Sequence, residues 1–137
     1  MPYFEWTTEI EVGHAEIDRQ HKELLLLAKS VVDPLMSSTS SQLEIPQLKK
    51  LMIFTHKHFK FEEDLMRRVA YPAADQHAKY HASLLTELSV YRLKLNLGQK
   101  TNPAGFIEFL WEWLALHIRS GDRDLIAWLK SQQARAH

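Results

Sequence analysis

Apolar residues recur at steps of three and four along almost the whole chain, and that period restricts it to packed helices. Ile17, His21, Leu24, Ala28, Val31 and Leu35 draw one stripe. Asp33-Pro34 and the Ser/Thr run at 37–41 are expected to end it, since proline disfavours helix in the residue before it and hydroxyls compete for backbone bonds. A second stripe runs Leu48, Leu51, Thr55, His58, Glu62, Leu65 and Val69, with Pro46 suited to a first turn and Tyr71-Pro72 marking the stop. The third passes through His77, His81, Leu84, Leu88, Tyr91 and Leu95 toward Gly98. Thr101–Pro103 restarts the chain for Phe106, Leu110, Trp113 and His117, a stripe broken at Gly121. Leu125, Ile126, Trp128 and Leu129 make a short fifth helix. No window alternates with period two for long. The expected fold is all-α: an antiparallel up-down-up-down four-helix bundle. One domain is expected over 1–137, with an N-terminal arm at about 1–16, the bundle at about 17–120 and a short C-terminal helix at about 122–134. The arm, carrying Tyr3, Phe4 and Trp6, is expected to pack on the bundle.

The stripes carry residues that a core does not ordinarily hold. His21, His58, Glu62, His77, His81 and His117 stand on the inward lattice otherwise filled by Leu, Val and Phe. Burying an imidazole or a carboxylate costs several kcal/mol unless it is hydrogen-bonded, paired or bound to metal. One inward histidine is most often a satisfied core residue. Five of them plus an acid, spread over all four helices, are more cheaply answered by a shared cation. The spacings agree, because His58/Glu62 and His77/His81 are i,i+4 pairs lying on one helix face. His117 and Asp122 are five apart, about 140° out of register on an unbroken α-helix. Gly121 is expected to end the helix there and let Asp122 swing back as a seventh ligand.

Other features narrow the chemistry. The chain has no cysteine, which excludes thiolate zinc, iron–sulfur and covalently attached haem sites. Lys and Arg number 17 and Asp and Glu 17, so no electrostatic footprint for nucleic acid or anionic membrane exists. The opening MPYFEWTTEIEVGH has acids where a signal peptide needs an apolar run, and the longest aliphatic run is only Leu24–Ala28. A cytoplasmic protein without membrane insertion is expected.

Imidazole with carboxylate and no sulfur suits iron, manganese or zinc. Seven ligands are too many for one tetrahedral zinc, which favours two metals. Two six-coordinate metals need twelve donors; five imidazoles, two bridging carboxylates and one bridging oxygen supply eleven. One position is left for a small exogenous ligand. Phe59, Phe61, Trp111, Trp113, Leu114 and Ile118 lie within a turn of these ligands, whereas Lys, Arg, Ser and Tyr do not crowd the same stripes. A small apolar pocket without a general acid or base favours a small uncharged guest, and dioxygen fits.

Four stretches together carry a resemblance: Val12-Gly13 with Ile17–Lys22, His58-Phe59 with Glu62-Glu63, His77 with His81, and Trp113 with His117-Ile118 and Asp122. Over about residues 12 to 125 the chain resembles the bacterial single-domain hemerythrins (bacteriohemerythrins) of the hemerythrin family. The resemblance implies reversible dioxygen binding for storage or delivery at two non-haem irons, Fe2+ or Fe3+, joined by an oxo or hydroxo bridge. One iron would take His77, His81 and His117, the other His21 and His58, with Glu62 and Asp122 bridging. Dioxygen would bind at the open position of the two-histidine iron, in a pocket formed by Phe59, Trp113, Leu114 and Ile118. No catalytic residue is implied, beyond a weak peroxidase-like side activity. An oxygen or redox sensor and a di-iron peroxidase or oxidase are the alternatives, although 137 residues leave no room for an output domain. Dioxygen, an oxygen-consuming enzyme downstream and a monomeric state complete the expected partners. His14 stands where a small apolar residue is expected; it and His56 are read as surface residues or neighbours of the ligands, and His137 as tail. Asp18 is read as an N-cap or an acceptor for a ligand rather than a ligand itself.

Overall fold

The computed structural model describes residues 4–37, 45–96 and 103–135. After a single 3-10 turn at Thr8–Ile10 come α1 (Ala15–Ser37), α2 (Ile45–Arg68), α3 (Ala74–Asn96) and α4 (Pro103–Leu116). A π-helical turn, His117–Asp122, runs directly into α5 (Arg123–Arg135). The described residues contain no strand, so the all-α expectation stands.

The stripes face inward as their period requires. Ile17, Ala28, Val31, Leu48, Leu51, Leu88 and Leu110 are fully buried, and Leu24 and Phe106 nearly so. Contacts between the helices fix their directions. Ser30, late in α1, reaches Gln47, early in α2, while His21, early in α1, lies beside His58, late in α2. Across α3 and α4, Tyr91 meets Phe106 and the Trp113 indole N–H donates to the Leu84 carbonyl at 2.8 Å. Each pair therefore runs antiparallel, as in an up-and-down bundle.

One helix end differs from the sequence reading. α1 continues through Asp33-Pro34 to Ser37, because a proline in the last turn removes one backbone bond while buried Val31 and Val32 still hold the segment against the core. Gly98 and most of the Ser/Thr run lie outside the described residues. Pro46 sits in the first turn of α2 and Pro103 opens α4, both as their fixed φ favours.

The N-terminal arm packs on the bundle. Phe4 is buried edge-on against Trp111 at 5.5 Å, and the Lys22 ammonium lies 4.8 Å above the Trp6 ring. Asp18 fastens the arm, accepting the backbone N–H groups of Val12 at 2.9 Å and Gly13 at 3.1 Å. It is thus not the N-cap of α1. That position belongs to His14, whose Nδ1 accepts the Ile17 N–H at 3.2 Å, an imidazole in the role usually taken by Ser or Asp.

α2 closes in a Schellman turn. The Ala70 N–H donates to Arg67 O at 3.2 Å and the Tyr71 N–H to Met66 O at 2.9 Å, with Ala70 at φ 55°. A Cβ in this left-handed conformation costs about 1 kcal/mol, which glycine avoids. Ala70→Gly should therefore stabilise the protein by up to about 1 kcal/mol, raising its thermal midpoint by a few degrees at matched metal content; a lowered midpoint would show that the turn is unstrained.

Candidate metal centre

All seven side chains singled out in the sequence meet in the middle of the bundle. His21 comes from α1, His58 and Glu62 from successive turns of α2, and His77 and His81 from successive turns of α3. His117 and Asp122 stand at the two ends of the π turn. The helix does not stop at Gly121, contrary to the sequence reading. Its turn widens instead, and i→i+5 bonding brings residues five apart onto one face. Gly121 also does not adopt a left-handed φ. Its contribution is space: a Cβ there would stand 3.0 Å from His77 Cε1 and 3.4 Å from both ring nitrogens.

Each carboxylate turns one oxygen to each side of the centre. Glu62 Oε2 is 3.4 Å from His58 Nε2, whereas Oε1 is 3.0 Å from His81 Nε2 and 3.5 Å from His77 Nε2. Asp122 Oδ2 lies 2.6 Å from His21 Nε2 and Oδ1 lies 3.3 Å from His77 Nε2. His117 Nε2 stands between, 3.0 Å from Asp122 Oδ2 and 3.6 Å from Glu62 Oε1. Two donor groups result, each with its donor atoms within 4.8 Å of one another: His21, His58, Glu62, His117 and Asp122, and Glu62, His77, His81, His117 and Asp122. Both carboxylates and His117 belong to both.

Burial sets the charge states. It drives His58 down to about 4 against the pull of Asp122, and His81 down to about 2 with His117 and His77 beside it. His117 is lowered by the same cause. Neutral imidazoles are the form that binds metal. Burial and the neighbouring Asp122 charge push Glu62 well above the usual carboxylate range. Burial also opposes the charge on Asp122, but His117, His21 and His58 outweigh it and hold that group well below the usual range.

Hydrogen bonding within the protein does not satisfy this cluster. Both Glu62 oxygens, Asp122 Oδ1, His77 Nε2 and His81 Nε2 are buried without a hydrogen-bond partner. Each such group costs about 1–3 kcal/mol. All five atoms point into one space ringed by nitrogen and oxygen, so the residues present fit metal ions: a cation there answers them together.

Side chains outside the ring aim the imidazoles. His58 Nδ1–H donates to Gln20 Oε1 at 2.7 Å, and Gln20 donates in turn to Glu16 at 3.0 Å. His81 Nδ1 lies 3.4 Å from the Glu63 carboxylate, and its ring stacks on Phe59 at 3.9 Å and 2°. Both contacts turn Nε2 to the centre. The sequence reading gave Gln20 and Glu63 no role. They act across the bundle on imidazoles 38 and 18 positions away, a pairing no helical period encodes.

Phe59, Trp113, Leu114 and Ile118 are all buried, and the Phe59 ring lies 4.9 Å from His117 and 6.4 Å from Trp113. Phe61 and Trp111 serve the arm instead, packing on His14 and Phe4. His56 is exposed, and His137 lies outside the described residues.

An antiparallel helical bundle with a buried His/Glu/Asp cluster able to hold metal is the class defined by this geometry. The sequence profile of the hemerythrin HHE cation binding domain matches residues 12–129. A hemerythrin-like protein of Naegleria gruberi is 33% identical over 119 residues, covering 87% of each chain. A bacteriohemerythrin of Stenotrophomonas maltophilia is 27% identical over 142 residues, covering 100% of this chain and 90% of that one. A myohemerythrin of Theromyzon tessulatum is 28% identical over 120 residues, covering 87% and 88%. The chain belongs to the hemerythrin family. Among the described residues no helix is long and apolar enough to cross a membrane.

The shifted groups set a pH dependence for the metal-free protein. Unfolding returns His58, His81 and His117 to ordinary values near 6.5, so the unfolded chain binds more protons below that pH. Glu62 acts in the opposite sense, because its raised value makes the folded state hold the extra proton. Three histidines against one carboxyl leave a net uptake of protons on unfolding, so stability falls as the pH falls through this window. The urea midpoint of metal-free protein should fall as pH drops from 6.5 toward 4.5; a flat profile would mean that the imidazoles are not held neutral.

Proposed function

We infer that this protein binds dioxygen reversibly at a pair of non-haem irons, for storage or delivery. The observation that carries the reading is the division of each carboxylate, one oxygen toward His21 and His58 and the other toward His77 and His81. Glu62 and Asp122 would then be shared between the two irons, with His77, His81 and His117 able to hold one and His21 and His58 the other. On that count the two-histidine side would have the position free for the guest. When bound, the iron pair supplies the electrons and Lewis acidity that dioxygen capture needs.

This chain's own residues determine why capture would stay reversible. Phe59, Trp113, Leu114 and Ile118 offer a buried wall whose one polar hydrogen, on the Trp113 indole, is already donated to Leu84 O. Such a wall excludes water and holds no proton to deliver, which favours release of the guest over its turnover. Gln20 and Glu63 keep the His58 and His81 rings in register. A cytoplasmic, monomeric protein serving an oxygen-consuming enzyme is the setting this reading implies.

Purified protein should hold two irons per chain and show an optical spectrum that changes reversibly between air and anaerobic buffer. His117→Ala should abolish that change and lower the iron content. Two irons without reversible uptake would overturn the reading. Leu114 stands one turn before His117 and is 1% exposed. Leu114→Ala should admit water and speed autoxidation about tenfold, equivalent to about 1.4 kcal/mol of barrier. An unchanged rate would show that this side chain does not guard the site.

A further inference from the structure

The seven converging side chains are not equally sealed. His77 keeps 6% of its surface exposed, against at most 1% for each of the other six. Above it lies a cleft of about 290 Å³ lined by Tyr71, Ala73, Gln76, His77, Tyr80, Gly121 and Asp124. Exposure falls from mouth to floor: Gln76 and Asp124 are exposed, Tyr71, Ala73, Tyr80 and Gly121 are half-buried, and His77 is buried. Gly121 packs directly on that floor, its missing side chain giving the His77 ring its place. A Cβ there would press on the Nδ1–Cε1–Nε2 edge of His77 at 3.0–3.4 Å, and Nε2 on that edge is one of the buried atoms without a hydrogen-bond partner.

The lining has one sign of charge. Asp124 is its sole ionised side chain, and the remaining polar groups are two phenols and an amide. Burial, with the Asp124 charge close by, raises the Tyr71 hydroxyl above its ordinary value, consistent with a carboxylate facing the same space. An acid at the mouth repels anions and draws cations, and an imidazole at the floor is a first nitrogen ligand for a divalent transition metal.

We propose that the cleft over His77 is the loading port of the metal centre, taking up ferrous ions at Asp124 and passing them to His77, the most exposed of the seven converging side chains. The proposal rests on the iron reading above. Asp124 steers, and His77 is the ligand that meets the incoming ion. None of Phe59, Trp113, Leu114 and Ile118 lines this cleft.

The test is the rate at which full-length protein, stripped of metal, takes up ferrous ion anaerobically, with bound iron counted after rapid desalting. Ala73→Trp fills the cleft without altering a ligand and should slow loading at least about fivefold. Asp124→Asn should slow it about threefold in low salt, with the difference vanishing near 0.5 M. Both should reach the wild-type iron content at long times. Wild-type loading by Ala73→Trp would overturn the port, whatever Asp124→Asn does. If the unaltered protein takes up no iron, the iron reading itself fails, and that result is distinct from a loaded protein with unchanged rates.

Discussion

An imidazole or a carboxylate taken into a helical core gives up several kcal/mol of hydration unless something inside replaces it. Here seven such groups share one interior space, every one at most 6% exposed. Local hydrogen bonding satisfies only some of them; the two Glu62 oxygens and the Nε2 atoms of His77 and His81 go without. Most other features of the bundle follow from this debt. The helices must present the groups at one level, the imidazoles must be neutral and correctly turned, and the carboxylates must face both ways.

The level is set by helix geometry. Residues four apart bring two of the converging side chains from α2 and two from α3 with no distortion of either helix. The last pair is five apart, and the chain meets that spacing by widening a single turn between α4 and α5. This keeps the backbone hydrogen-bonded through that pair, which a helix end beside the core would not do. Gly121 lies in the widened turn, where its lack of a side chain lets the His77 ring stand close.

Orientation comes from outside the ring. Gln20 and Glu63 engage Nδ1 atoms, and Phe59 lies flat on His81. The arm adds closure at the α1 end, tied by the Asp18 carboxylate and capped by His14, while Trp111 and Phe61 give their faces to it. Aromatics that stand equally near the ligands in sequence therefore divide, some walling the centre and some holding the arm.

Periodicity alone determined the all-helical fold, the inward placement of Ile17, Leu48, Leu88 and Leu110, and the identity of six of the seven converging side chains, Asp122 being the one out of step with it. These are consequences of a 3.6-residue repeat, which any reader of the chain can count. The manner in which Asp122 arrives was not legible, because a π turn and a helix end place the same residue at the same face by different hydrogen bonds. Nor could the chain announce that α1 runs past Pro34, that an imidazole caps α1, or that Gln20 and Glu63 reach across to other helices. Those outcomes depend on which helix lies beside which, and at what height. Only the packed tertiary structure fixes that, since contacts between residues distant in sequence leave no trace in local spacing.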